Sequence, residues 1–147
     1  MKLHLTERKR MQNEVYILDT NIWISFVITR RLHTLVSLII NHQLTILTNP
    51  DLVKEIEDVL ARPKFRKYIN REDVKEVIAL HLKLCHLVIT EEIKNQLSDS
   101  KDNFLLDLYR KGNAGILVSG DKELIREASG LKYRVMTLRE FKDSIKS

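Results

Sequence analysis

The chain is poor in the residues that usually punctuate or staple a fold: 147 residues hold one cysteine, two prolines and four glycines. The lone thiol, Cys85, excludes an intramolecular disulfide, so a reducing cytoplasm is the simplest expectation. Four glycines leave no Gly-rich loop to cradle a phosphate. No stretch approaches the ~20 apolar residues of a membrane span. The start, Met1-Lys2-Leu3-His4-Leu5, runs into Thr6-Glu7-Arg8-Lys9-Arg10 and not into an apolar segment, so no secretory signal is expected. Repeats, low-complexity tracts and linkers are absent. No serine, histidine and aspartate stand in a nucleophile-elbow context. What remains reads as one ordinary domain, large enough to build a core without covalent help.

The net charge is +5, compatible with a polyanionic partner. Its distribution says more. Arg62, Lys64, Arg66, Lys67 and Arg71 fall in a stretch, Ala61 to Arg71, that contains no acid. A second group, Arg8-Lys9-Arg10, lies in the leading tail. Both could equally be solvated surface.

Along the chain, residues 1–13 read as a polar N-terminal extension and residues 14–147 as a single domain; Met11 is a second candidate start. Short apolar runs at Val15–Leu18, Leu44–Leu47, Leu87–Ile89, Gly115–Ser119 and Tyr133–Met136 have the length and composition of strands buried on both faces. Helical patterns lie between and after them, at Ile22–Val27, Leu32–Asn41, Pro50–Ala61, Glu72–Leu84, Asn103–Lys111, Lys122–Ala128 and Leu138–Ile145. Strands alternating with helices predict parallel βαβ units, an α/β fold with about five strands. Asn49 is placed to cap the third helix and Pro50 suits its first position. Gly112 is placed as the C′ residue of the fifth.

Four acids stand out against this frame. Asp19 ends the run Val15-Tyr16-Ile17-Leu18, and Asp121 follows Gly115-Ile116-Leu117-Val118-Ser119-Gly120 in the same manner. In a parallel sheet, carboxyl ends of strands face the crevice where ligands bind. Glu55 lies at the flank of the stripe Leu52, Val53, Ile56, Val59 and Leu60. Asp102 precedes a helix whose apolar face starts with Phe104, Leu105 and Leu108. Taken singly, Asp19 could cap a helix, Glu55 could be a surface acid, Asp102 and Asp99 could be caps, and Asp121 could be a turn or cap residue. Together they would repel strongly: two like charges ~4 Å apart cost about 4 kcal/mol at an effective dielectric near 20. A hard divalent cation, Mg²⁺ or Mn²⁺, relieves this, because it prefers oxygen ligands. Such clusters support phosphodiester hydrolysis.

Other constellations are weaker. His81, Cys85 and His86 have partial metal-ligand spacing but sit in an apolar run without further ligands, so packing is the expectation. Trp23 could stack a base or, more simply, pack the first helix.

In this order, Leu18-Asp19-Thr20-Asn21, Glu55, Asp99-Ser100-Lys101-Asp102-Asn103-Phe104-Leu105 and Val118-Ser119-Gly120-Asp121 resemble the PIN domain. The resemblance is nearest to the PIN-family toxins of toxin–antitoxin systems, extends from Val15 to about Phe141, and includes Arg62-Pro63-Lys64-Phe65. It implies a three-layer α/β/α fold with a central parallel sheet, and Mg²⁺- or Mn²⁺-dependent endoribonuclease activity. It implies Asp19, Glu55, Asp102 and Asp121 as the acidic site, with Asn21, Asp99 and Ser119 as supports. It also implies a homodimer and a cognate antitoxin. Two departures are Ser100, where the branch often has proline, and Leu124, where it often has a further acid. Other functions to weigh are a PIN fold that binds RNA or a partner without cutting, and a PIN nuclease of RNA processing. A phosphoacceptor receiver domain is disfavoured, since the third and fifth strands end in Ile89-Thr90 and Met136-Thr137 where an acid and a lysine are required.

Overall fold

The computed structural model describes residues 14–91 and 102–146. The polar extension expected over residues 1–13, and Asp99 and Ser100, lie outside these. Five strands form one sheet: β1 (Val15–Leu18), β2 (Thr45–Thr48), β3 (His86–Leu87), β4 (Ile116–Val118) and β5 (Val135–Met136). Their order is β3-β2-β1-β4-β5, all neighbours parallel. The seven described α-helices are α1 (Thr20–Ile28), α2 (Leu32–Asn41), α3 (Pro50–Leu60), α4 (Arg71–Leu84), α5 (Asn103–Lys111), α6 (Lys122–Gly130) and α7 (Leu138–Lys146). The chain winds from β1 outward to β3, then returns to the other side of β1 for β4 and β5. Right-handed crossovers in the two directions place helices on opposite faces, giving the α/β/α layers expected. The reversal leaves a switch point between β1 and β4, the place where sheets of this kind hold their ligands.

The central strands are apolar along almost their whole length because they are buried on both faces. Ile17, Leu18, Ile46, Leu117 and Val118 are fully buried, and each such side chain contributes about 2 kcal/mol relative to exposure. Tyr16 meets Phe141 of α7 edge-on at 5.0 Å. The α3 stripe packs as its spacing requires: Leu52, Ile56, Val59 and Leu60 are buried, Glu57 and Asp58 are exposed, and Glu55 is half-buried between them. Asn49 caps α3 by accepting from the Leu52 amide at 2.9 Å.

Two local expectations differ. The third and fifth strands are two-residue edge strands, with Leu87 52% exposed and Val135 and Met136 half-buried, and not strands buried on both faces. An edge strand has only one neighbour, so half of its surroundings are missing. The end of α5 is turned by Asn113 at φ 52°, while Gly112 stays at φ −87°. Asparagine tolerates the left-handed region well enough to take the position expected of glycine.

The His81 and Cys85 pair proves to be packing. His81 is 1% exposed, its Nε2 is 2.7 Å from Thr48 Oγ1, and its ring meets Trp23 edge-on at 4.3 Å. Cys85 is buried beside it, whereas His86 is exposed on β3. Burial lowers the His81 pKa from 6.5 to about 4. The unfolded chain therefore binds an extra proton between those values, and stability falls as pH falls through that window. About 2.5 units correspond to about 3 kcal/mol. Between pH 7 and pH 4, urea unfolding is expected to show a change in stability about 3 kcal/mol less favourable in the parent than in His81→Gln, since both carry the opposing contribution of the buried Asp19. The same pH-dependent change in both would remove His81 as a cause.

Candidate active site

Eight polar or charged residues are buried among the described residues, and five of them, Asp19, Thr20, Thr48, Asn49 and Ser119, sit just at or beyond the carboxyl ends of β1, β2 and β4. Buried polar groups need partners, and here the partners tie one strand end to the next.

Asp19 follows β1 and is 4% exposed. Its amide donates to the Val118 carbonyl at 2.9 Å, which locks it beside the end of β4. Its Oδ2 accepts from Ser119 Oγ at 2.7 Å. Ser119 Oγ in turn accepts from the Asp121 amide at 3.0 Å. One hydroxyl thus joins the acid of β1 to the acid after β4. The Ser119 amide donates to the Met136 carbonyl at 3.0 Å, which fixes that hydroxyl against β5. On the other side, the half-buried Glu55 reaches from α3 to accept from Thr20 Oγ1 at 2.9 Å.

Desolvation pushes the Asp19 pKa from 3.8 up to about 6, against the hydrogen bonds from Ser119 and the Thr20 backbone; the charges of Glu55 and Asp121 push it further up. Two of the other three acids therefore lie close enough to Asp19 to act on it. Asp121 also does what its bland reading suggested: Oδ1 accepts from the Glu123 and Leu124 amides at 3.0 and 3.2 Å and caps α6. Leu124, where the toxin branch often has an acid, is 3% exposed and belongs to the core. Asp102 is half-buried at the N-cap of α5. Asn21 is exposed in the first turn of α1.

Asp19 and Glu55 accept from hydroxyls of other segments, Ser119 and Thr20, while Asp121 accepts from amides of its own helix. Among the described residues, no three His, Cys, Asp or Glu side chains converge on one metal-holding point. The donor chemistry nonetheless fits a hard cation: Asp19 and the two groups that act on it are all carboxylates, and Asp19 is raised in pKa by burial and by these neighbours.

Thr20 and Asn49 escaped sequence reasoning as site residues. Thr20 carries a signal, lying inside the Asp19-Thr20-Asn21 tripeptide; the sequence around Asn49 signals only a helix cap. Asp107, 3% exposed on α5, was also not singled out. The five basic residues Arg62, Lys64, Arg66, Lys67 and Arg71 are all exposed around the turn between α3 and α4. Arg66 and Arg71 border a cleft of about 610 Å³ whose apolar side is formed by Leu60, Ile69 and Val74.

A doubly wound parallel sheet with Asp19, Glu55 and Asp121 near its switch point defines an α/β protein with acids at its strand ends. The sequence match narrows the class: residues 15–123 match the PIN domain, and the chain belongs to the PIN domain family. It is similar to an uncharacterized protein of Methanocaldococcus jannaschii, 27% identical over 120 residues that make up 80% of this chain and 77% of that protein. Its fold is similar to VapBC2 from Rickettsia felis, solved bound to a DNA fragment from their promoter. That likeness has a TM-score of 0.56 at 16% identity and covers 84% of this chain and 98% of the other. Among the described residues no helix is long and apolar enough to cross a membrane.

Proposed function

We propose that the protein is a divalent-metal-dependent endoribonuclease that hydrolyses RNA phosphodiester bonds, and that it serves as the toxin of a toxin–antitoxin pair. The observation that carries this is the buried Asp19 carboxylate, held at the β1/β4 switch point within the field of Glu55 and Asp121. PIN domains are generally nucleases, and membership of the family supports the reaction class. The likeness in fold to VapBC2 supports an antitoxin partner and the toxin role.

In this reading Asp19, Glu55, Asp102 and Asp121 hold Mg²⁺ or Mn²⁺, with Asp99 as a further acid nearby. The bound cation supplies positive charge for the phosphate and eases ionisation of the attacking water. Ser119 orients Asp19 through Oδ2 and, through its own oxygen, holds the Asp121 backbone in place. Thr20 orients Glu55, and Asn21 supports the same edge. Arg62, Lys64, Arg66, Lys67 and Arg71 hold the RNA backbone, a contribution that weakens with salt. The protein acts as a homodimer in the cytoplasm, with a small antitoxin as its cognate partner.

The test is cleavage of an end-labelled single-stranded RNA. Fragments are expected with Mn²⁺ present and none with EDTA, and Asp121→Asn is expected to cut at least about a hundredfold more slowly, the scale of removing one charge-stabilising group. RNA that is retained on the protein but stays whole in Mn²⁺ would replace this reading with the non-cleaving module. Growth arrest on expression, relieved by a co-expressed antitoxin, separates the toxin role from RNA processing.

A further inference from the structure

Asn49 is fully buried at the carboxyl end of β2, and its side-chain amide joins three elements. Its Oδ1 accepts from the Leu52 amide in the first turn of α3. Its Nδ2 donates to Thr90 Oγ1 at 3.0 Å, beyond β3, and to the Phe104 carbonyl at 3.3 Å, in the first turn of α5. The Leu52 N–H can only donate and the Phe104 carbonyl can only accept, so the partners themselves set which way the amide points. Thr48, one residue earlier, is held as well: its carbonyl accepts from the Val88 amide at 2.8 Å and its hydroxyl meets His81. The strand end that carries Asn49 is therefore rigid.

The helices it joins are the ones that matter. α3 carries Glu55, and α5 begins directly after Asp102. These two acids come from different crossovers, and no strand pairing sets their separation. The two helices touch directly, and a buried amide spans from one to the other. We propose that Asn49 is a positioning residue of the active site, setting the placement of Asp102 relative to Glu55. The inference rests on the acidic-site reading above.

The cap and the clamp use different atoms, so they can be separated. Asn49→Ser keeps an oxygen able to cap α3, since serine serves there as well as asparagine. Its side chain is too short to donate to both Thr90 and Phe104. Thr90→Val, close in shape to the parent residue, removes only one acceptor. Purified variants are titrated with Mn²⁺ by electron paramagnetic resonance, and kcat and KM on single-stranded RNA are measured well below each Tm. Asn49→Ser is expected to weaken Mn²⁺ binding about tenfold, the lower end for residues that orient ligands. Its kcat should fall by a similar factor while KM stays within about twofold. Thr90→Val should move the same way by a smaller factor, and it decides the matter should Asn49→Ser not fold. Ile39→Val, in the α2 core, lowers stability without touching this network, and its Mn²⁺ affinity should match the parent.

Parent-like Mn²⁺ affinity and kcat in both folded variants would overturn the proposal, as would equal weakening in Ile39→Val. A parent-like Mn²⁺ titration in Asp19→Asn is a different failure: it would remove the acidic site itself.

Discussion

Asp19→Asn is expected to abolish RNA cleavage and to make the metal-free protein more stable at pH 7 and above. The two effects share one cause. Asp19 is a nearly completely buried carboxylate whose pKa is raised from 3.8 to about 6, chiefly by desolvation. A raised carboxyl pKa means that the folded state holds its proton more tightly than the unfolded chain. The group's contribution is favourable below about 3.8 and is lost as pH rises through about 6. About two units amount to about 3 kcal/mol of cost at pH 7. Asparagine has the same shape, can still accept from Ser119 Oγ, and carries no charge, so that cost disappears. At roughly 3 °C per kcal/mol for a chain of this length, Tm at pH 7.5 in EDTA should rise by several degrees. The gain should shrink toward zero near pH 4. Cleavage in Mn²⁺ should fall by at least about a hundredfold. Full activity in the variant would sink the proposed role. A lower Tm than the parent at pH 7.5 would sink the account of its burial.

Trp23→Ala should have the largest effect on stability, with a loss of about 3–5 kcal/mol. Trp23 is among the largest fully buried side chains and packs edge-on against His81. Its Nε1 finds no hydrogen-bond partner among the described residues, so the indole is held by packing alone. For domains that are typically stable by only 5–15 kcal/mol, this is a large share. Trp23→Phe keeps a ring against His81 and removes the orphaned donor, so it should cost clearly less. Urea unfolding of both variants measures this. RNA affinity of Trp23→Phe should match the parent, since a residue 1% exposed has no face to offer a base. A selective loss of RNA binding with unchanged stability would restore the stacking role.

The positions of most elements were legible in the sequence. Val15–Leu18, Leu32–Asn41 and Asn103–Lys111 match their expected bounds, and most of the rest differ by a residue or two at the ends. Apolar period and caps carry that information, because they are local. The third strand failed for a nonlocal reason: whether a short apolar run is buried on both faces depends on its place in the sheet, and β3 is at the edge. In the site, Asp19 and Asp121 were legible as acids at strand ends, and Ser119 as a neighbour of Asp121. That the Ser119 hydroxyl joins Asp19 across one hundred positions of sequence could not be read from either segment.

The sequence by itself determined the type of each element, the polar character of the crevice edge and the family, because periodicity, caps and motif order are written residue by residue. Only the tertiary structure decided that Asp19 is desolvated among like charges, that Thr20 and not Asn21 bonds Glu55, and that Asn49 joins α3 to α5. Those facts depend on which strand lies beside which. The reversal of winding at β1, through which β4 comes to lie beside it, sets that order.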